Sequence, residues 1–147
     1  LLFAGSLEEP FKGMYLSHVE AGIRDRVLFL DHRDDIPRVL KTLDVFVFPS
    51  VLEGLGTALI EAMAMARPVA VSDIPTFRDF IEDGKNGIFF KIKDPQDMAD
   101  KVIALLRDKE LRERLGGNAG TTAAEKFTYE KMIDLTETEY REVLDAV

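Results

Sequence analysis

The chain has 147 residues, 46% of them hydrophobic and 31% charged, with a formal net charge of −8. That length and composition suit one globular domain with a core of ordinary size, and the acidic balance speaks against nucleic acid and anionic membrane surfaces as partners. There is no cysteine, which excludes disulfides, thiolate nucleophiles and Cys-ligated metals, and the two histidines, His18 and His32, form no metal-spaced pair.

The chain opens without an initiator Met, on Leu1 to Ala4, which read as a strand entering a turn. An upstream segment is therefore expected. A helix is predicted over Phe11 to Ala21, ended by Gly22 in the position after a helix that glycine favours. Val27 to Leu30 reads as a second strand, and Ile36 to Lys41 as a short helix with Pro37 in its first turn. Val45 to Phe48 is a third strand closed by Pro49, and Thr57 to Ala66 an apolar helix. Val69 to Ser72 and Gly87 to Phe90 are further strands, with a short helix over Thr76 to Ile81 between them. Asp94 caps a helix that has Pro95 at its first position and runs to about Arg107. A charged helix over Lys109 to Leu115 is expected to break at Gly116, Gly117 and Gly120. Thr128 caps a terminal helix, with Phe127 and Met132 spaced as a hydrophobic staple.

The strands are continuous apolar runs, which suits burial on both faces of a parallel sheet. Their alternation with helices predicts an α/β, Rossmann-like domain with a mostly parallel sheet flanked by helices. No apolar run reaches the ~18–20 residues that span a bilayer, and no signal-peptide pattern is present. A soluble, cytoplasmic protein is expected.

The chemistry concentrates in the stretch from Pro49 to Met63, which follows a buried strand and opens a helix. Doubly wound folds bind ligands at that end of a strand. Gly54 and Gly56 place no side chain between the backbone and a ligand. The first amides of the helix at Thr57 lack intrahelical partners and, with the helix dipole, suit phosphate. An acidic domain can hold an anionic nucleotide in this way, because the positive potential is local. Glu61, about one turn into the helix, suits the two hydroxyls of a ribose. Glu53 lies eight positions earlier, beyond the glycine turn. That separation suits opposite ends of a nucleotide diphosphate better than shared acid–base work on one bond.

The run Glu53-Gly54-Leu55-Gly56-Thr57-Ala58-Leu59-Ile60-Glu61 resembles the Glu-x7-Glu signature of the retaining GT-B glycosyltransferases of family four. The segments Asp25 to Leu30, Asp44 to Ser50, Arg67 to Val71 and Asp83 to Ile88 are similar to that family in the same order. The resemblance implies the C-terminal, donor-binding half of a GT-B fold. It implies that Glu53 lies at the transferred sugar as the catalytic glutamate. The Gly54, Leu55, Gly56 and Thr57 backbone would meet the diphosphate, Glu61 would bind the ribose, and the loop at His32 and Arg33 would approach the base. No metal or other cofactor is implied; the nucleotide-diphosphate sugar is a substrate. The implied partners are that donor and an N-terminal acceptor domain, through which alone a peripheral membrane contact would arise. The first strand of the donor domain and its basic Arg and Lys clamp would precede Leu1. Lys12-Gly13 imitates a Lys-Gly pair but follows the wrong strand for the clamp. Ala66 stands where the family has glycine, Leu55 where it has an aromatic, and Ile74-Pro75-Thr76 lacks the paired glycines of that loop.

Read as isolated residues, Glu53, Glu61, His32 and Arg33 are ordinary solvated side chains. Two other functional readings exist: a non-catalytic nucleotide-sugar-binding module and a Rossmann-type dinucleotide oxidoreductase domain. The oxidoreductase reading lacks a Gly-x-Gly-x-x-Gly after the first strand.

Overall fold

The computed structural model describes residues 1–5 and 8–146. These form two compact units, Leu1–Ile36 and Pro37–Val147.

The first unit holds two parallel strands, β1 (Leu2–Ala4) and β2 (Leu28–Leu30), in the register Leu2 to Leu28 and Phe3 to Phe29. Between them run α1 (Glu9–Ser17) and a short 3-10 helix over Ala21–Arg26. The helix expected over Phe11 to Ala21 is thus shorter and begins earlier. Gly22 lies inside the 3-10 helix and is not the residue that ends α1. His18 closes α1 instead, its backbone N–H donating to the carbonyls of Leu16 and Tyr15. Phe3 stacks on Phe29 at 5.1 Å and tilts against Tyr15 at 5.5 Å. Lys12 pairs with Asp31 at 3.3 Å and Glu9 at 3.6 Å.

In the second unit a three-stranded parallel sheet runs β3 (Phe46–Phe48), β4 (Val69–Ser72), β5 (Ile88–Phe90), in sequence order. Helix α2 (Ile36–Lys41) precedes it. Helix α3 (Thr57–Ala64) and the short α4 (Pro75–Arg78) make the connections, while α5 (Pro95–Arg107), α6 (Lys109–Lys126) and α7 (Tyr129–Asp145) follow. Asp94, Asp108 and Thr128 each accept a backbone N–H three residues on, so all three last helices carry the side-chain cap that their sequences favour.

The strand pleat divides the apolar residues. Val45, Val47, Ala70, Ile88 and Phe90 share one cluster with Met98, Val102, Leu105, Leu111 and Leu115 of α5 and α6. Phe48 instead meets Phe77 at 5.6 Å, and a chain of rings continues through Phe80 to Phe127. Phe127 therefore spends its ring on Phe80, while Met132, its expected staple partner, is 54% exposed.

The three glycines near the middle of α6 do not break it. Helix α6 runs unbroken from Lys109 to Lys126. A Cβ at Gly116 would collide with the Ala66 carbonyl oxygen, and one at Gly120 would touch the Ala66 Cβ. The glycines let α6 cross the end of α3 at backbone distance, and that packing outweighs their poor helix propensity. Ala66 itself has φ +52°, a left-handed conformation that explains why glycine suits this position.

Asn86 is the buried polar group that ties the turn before β5 to α6. Its Nδ2 donates to the Phe80 carbonyl and to Thr122 Oγ1, both at 2.9 Å, and its Oδ1 accepts from the Glu82 backbone N–H at 2.7 Å. Removing it strands the buried Phe80 carbonyl and the part-buried Glu82 N–H and Thr122 hydroxyl. Asn86→Ala is expected to lower stability by about 2–4 kcal/mol, read as a shift of the urea unfolding midpoint. An unchanged midpoint would remove Asn86 from the account of how this turn is held.

Candidate functional site

The turn from Pro49 to Gly56 leaves the carboxyl end of β3 and delivers the chain into α3. Gly56 is its pivot. It has φ +81° and ψ 57°, it is buried, and a Cβ placed on it would lie 2.8 Å from Cε1 of Phe77. Both the backbone conformation and the ring exclude a side chain. Gly54 differs: it is exposed, and an added Cβ would meet nothing within 4 Å. The protein itself does not require glycine there, and the space beside it is open to a ligand. Leu55 between them is 49% exposed.

Helix α3 starts without a side-chain cap. Leu59 and Ile60 N–H donate to the Gly56 carbonyl. Among the described residues, the Thr57 and Ala58 N–H groups have no acceptor, so the positive end of α3 faces outward. Thr57 and Glu61 are exposed and four positions apart, which sets them on one face, opposite Leu59, Ala62 and Met63 in the core.

Glu53 is half-buried. Its Oε1 accepts from Ser50 Oγ at 2.6 Å, and its backbone carbonyl accepts from Thr76 Oγ1 at 2.9 Å. Thr76 lies in α4, and across the β4–α4 turn Asp73 and Arg78 form a two-pronged ion pair at 2.6 and 2.8 Å. The hydrogen bond from Arg78 holds the Asp73 carboxyl below its ordinary pKa, and Arg78 in turn is raised by Asp73. A cleft of about 220 Å³ borders the same turn, with Pro49, Val51, Ser72, Phe90 and Lys91 among its walls.

The second unit thus brings together Glu53, Gly54, Leu55, Gly56, Thr57 and Glu61. His32 and Arg33 follow β2 in the first unit. His32 Nε2 lies 3.3 Å from Asp34 Oδ1, both side chains well exposed. Arg33 makes two 2.7 Å bonds to Asp35, whose carboxylate raises the guanidinium pKa further. Sequence reading gave no role to Ser50 or Thr76. Ser50 lies inside the motif stretch, but Thr76 is 23 positions from Glu53 and only the fold joins them. No group of three or more His, Asp or Glu among the described residues is arranged to hold a metal ion. Among the described residues no helix is long and apolar enough to cross a membrane.

A parallel α/β layer with a glycine turn and an uncapped helix start at its carboxyl edge defines the Rossmann-like nucleotide-binding class. Within that class the chain belongs to the glycosyl transferases group 1 family, whose model matches residues 1–122. The fold is that of GT-B glycosyltransferases. The chain is 34% identical over 122 residues, 83% of its length, to the N-acetyl-alpha-D-glucosaminyl L-malate synthase of Bacillus anthracis. It spans 32% of that relative, about a third of its length. A crystal structure of the C-terminal domain of a glycosyl transferase group 1 family protein (LpcC) from Francisella tularensis is 28% identical, with TM-score 0.75, over 82% of this chain and 64% of that one. A crystal structure of a mutant S. aureus TarM with fondaparinux, α-GlcNAc-glycerol and UDP is 29% identical, with TM-score 0.81, over 90% of this chain and 27% of that one. The family sets the oxidoreductase reading aside.

The two glycines separate packing from binding. Gly56→Ala is expected to destabilise the protein by about 2–4 kcal/mol, from the left-handed backbone and the clash with Phe77. Gly54→Ala should stay within about 0.5 kcal/mol of the native stability. Chemical denaturation of both variants checks this, and equal losses would contradict the open position of Gly54.

Proposed function

We propose that this chain is the donor-binding half of a retaining glycosyltransferase that moves a sugar from a nucleotide diphosphate to an acceptor hydroxyl. The observation that carries the reading is the β3–α3 turn: open backbone at Gly54, left-handed Gly56, free amides at Thr57 and Ala58, and Glu61 one turn above them. The amides suit a diphosphate. Glu61, exposed on the same helix face, suits the ribose. Glu53, held on the far side of the glycines, suits the sugar. The TarM structure with UDP and the C-terminal LpcC domain support a nucleotide-binding, C-terminal role, and the family resemblance of the motif supports this division. In this reading the acceptor domain, the first strand of the donor domain and the basic clamp lie in the rest of a longer protein. The proposal includes a cytoplasmic location and a metal-free reaction. The leaving diphosphate would then be stabilised by amides and basic side chains.

The two glutamates have separable roles. Glu61→Ala is expected to weaken UDP binding by about tenfold to a hundredfold, the worth of a charge-assisted hydrogen bond. Glu53→Ala should leave UDP binding unchanged and abolish transfer. Calorimetry with bare UDP checks the first, and equal weakening by both variants would overturn the division.

Catalysis needs two halves closed over the donor, because positioning supplies about 7–11 kcal/mol of the barrier reduction. This chain by itself is therefore expected to transfer no sugar. The full-length protein is expected to transfer with retention of anomeric configuration and with chelator present. An inverted product would overturn the retaining mechanism, and activity lost to chelator and restored by a divalent ion would overturn the metal-free one.

A further inference from the structure

We propose that Thr76 and Ser50 are positioning residues for Glu53, so that the start of α4 governs the chemical step of the site; this rests on the donor-binding reading above. Glu53 sits in the stretch between β3 and α3, outside any helix or strand. Two hydroxyls hold it from different directions. Ser50 Oγ donates to the carboxylate at 2.6 Å, and Thr76 Oγ1 donates to the backbone carbonyl at 2.9 Å. One bond fixes the side chain and the other fixes the main chain that carries it. Among the described residues the second carboxylate oxygen, Oε2, accepts no hydrogen bond, so it remains for a ligand.

The start of α4, which supplies Thr76, is itself firmly seated. Asp73 N–H donates to the Phe90 carbonyl at 2.9 Å, and the Asp73 carboxylate grips Arg78 through two bonds. Ile74 and Phe77, on either side of Pro75 and Thr76, are 2% and 0% exposed. Thr76 therefore projects from a fixed base, and loss of its hydroxyl frees Glu53 while leaving the turn in place. The groups assigned to the nucleotide, the Thr57 and Ala58 amides and Glu61, belong to α3 and do not depend on this bond. The consequence is a separation in kinetics. The chemical step feels a displaced Glu53, and nucleotide binding does not.

The test uses the full-length protein that contains this chain, with UDP release from UDP-glucose and UDP-N-acetylglucosamine as the assay and calorimetry with UDP beside it. Thr76→Val keeps the shape and removes the donor. It is expected to lower kcat by about tenfold to a hundredfold, the cost of misplacing a reacting group by roughly an ångström. KM and UDP affinity are expected to stay within about twofold of the native protein. Thr76→Ser restores the hydroxyl and is expected to recover most of kcat, and Ser50→Ala should show the same kcat-selective loss as Thr76→Val. Equal impairment by Thr76→Ser and Thr76→Val would overturn the proposal, as would a Thr76→Val loss that appears in UDP affinity or native kinetics in that variant. A native protein that binds none of UDP, GDP, ADP and dTDP would overturn the donor-binding reading itself, and the positioning role with it.

Discussion

The contact between the Phe77 ring and the bare α-carbon of Gly56 governs the second unit. Phe77 is fully buried, and its ring lies 5.6 Å from Phe48 and 6.2 Å from Phe80. It occupies the space that any side chain at residue 56 would need. With the ring there, the chain turns through a left-handed residue at the end of β3 and enters α3 at once. The free amides at Thr57 and Ala58 follow from that turn, because a helix begun so abruptly has no room for a capping side chain before it.

The other end of α3 is set by a second backbone contact. Ala66 takes a left-handed conformation, at a cost of about 1–2 kcal/mol for a residue with a Cβ. Helix α6 crosses there through Gly116 and Gly120. Arg67 then binds the carbonyls of Met65, Lys41 and Leu43, closing the amino edge of the layer. Helix α3 is thus clamped at both ends by close backbone packing. A helix that presents amides to a ligand gains from this, since its dipole is aimed before the ligand arrives and no ordering is left for the moment of binding.

The two glutamates of the motif occupy contrasting surroundings. Glu61 stands exposed on a helix, above the amides of its own first turn. Glu53 is half-buried and tethered through both carboxylate and carbonyl. The contrast suits the proposed roles, since a group that acts on a reacting centre must be held in place. The local field resolves an apparent conflict in charge. A chain with net charge −8 presents, at this turn, uncompensated backbone N–H groups and glycines, and on the proposed reading it is this local potential that meets an anion.

Much of this protein was legible without coordinates. The apolar runs at residues 69–72 and the capped helix from Pro95 to Arg107 coincide with β4 and α5, because burial on both faces and an Asp-Pro start are local signals. The glycine turn and its two glutamates were legible for the same reason: all their parts lie within one short stretch. What was misread depended on partners far along the chain. Gly116 and Gly120 looked like a break because helix propensity is local, while the Ala66 backbone that makes them useful lies some fifty positions away. Phe127 looked like half of a staple until Phe80 claimed its ring. Thr76 stood out only within Ile74-Pro75-Thr76, where the paired glycines of the family are missing, for its hydroxyl acquires meaning only when folding sets it beside Glu53. The sequence by itself determined most of the helices and strands and the glycine turn between β3 and α3, since periodicity, capping and glycine act over a few residues. The tertiary structure alone decided which glycine is needed for packing and which is open to a ligand, and what holds Glu53, because close packing and hydrogen bonds between distant segments exist only once the chain has folded.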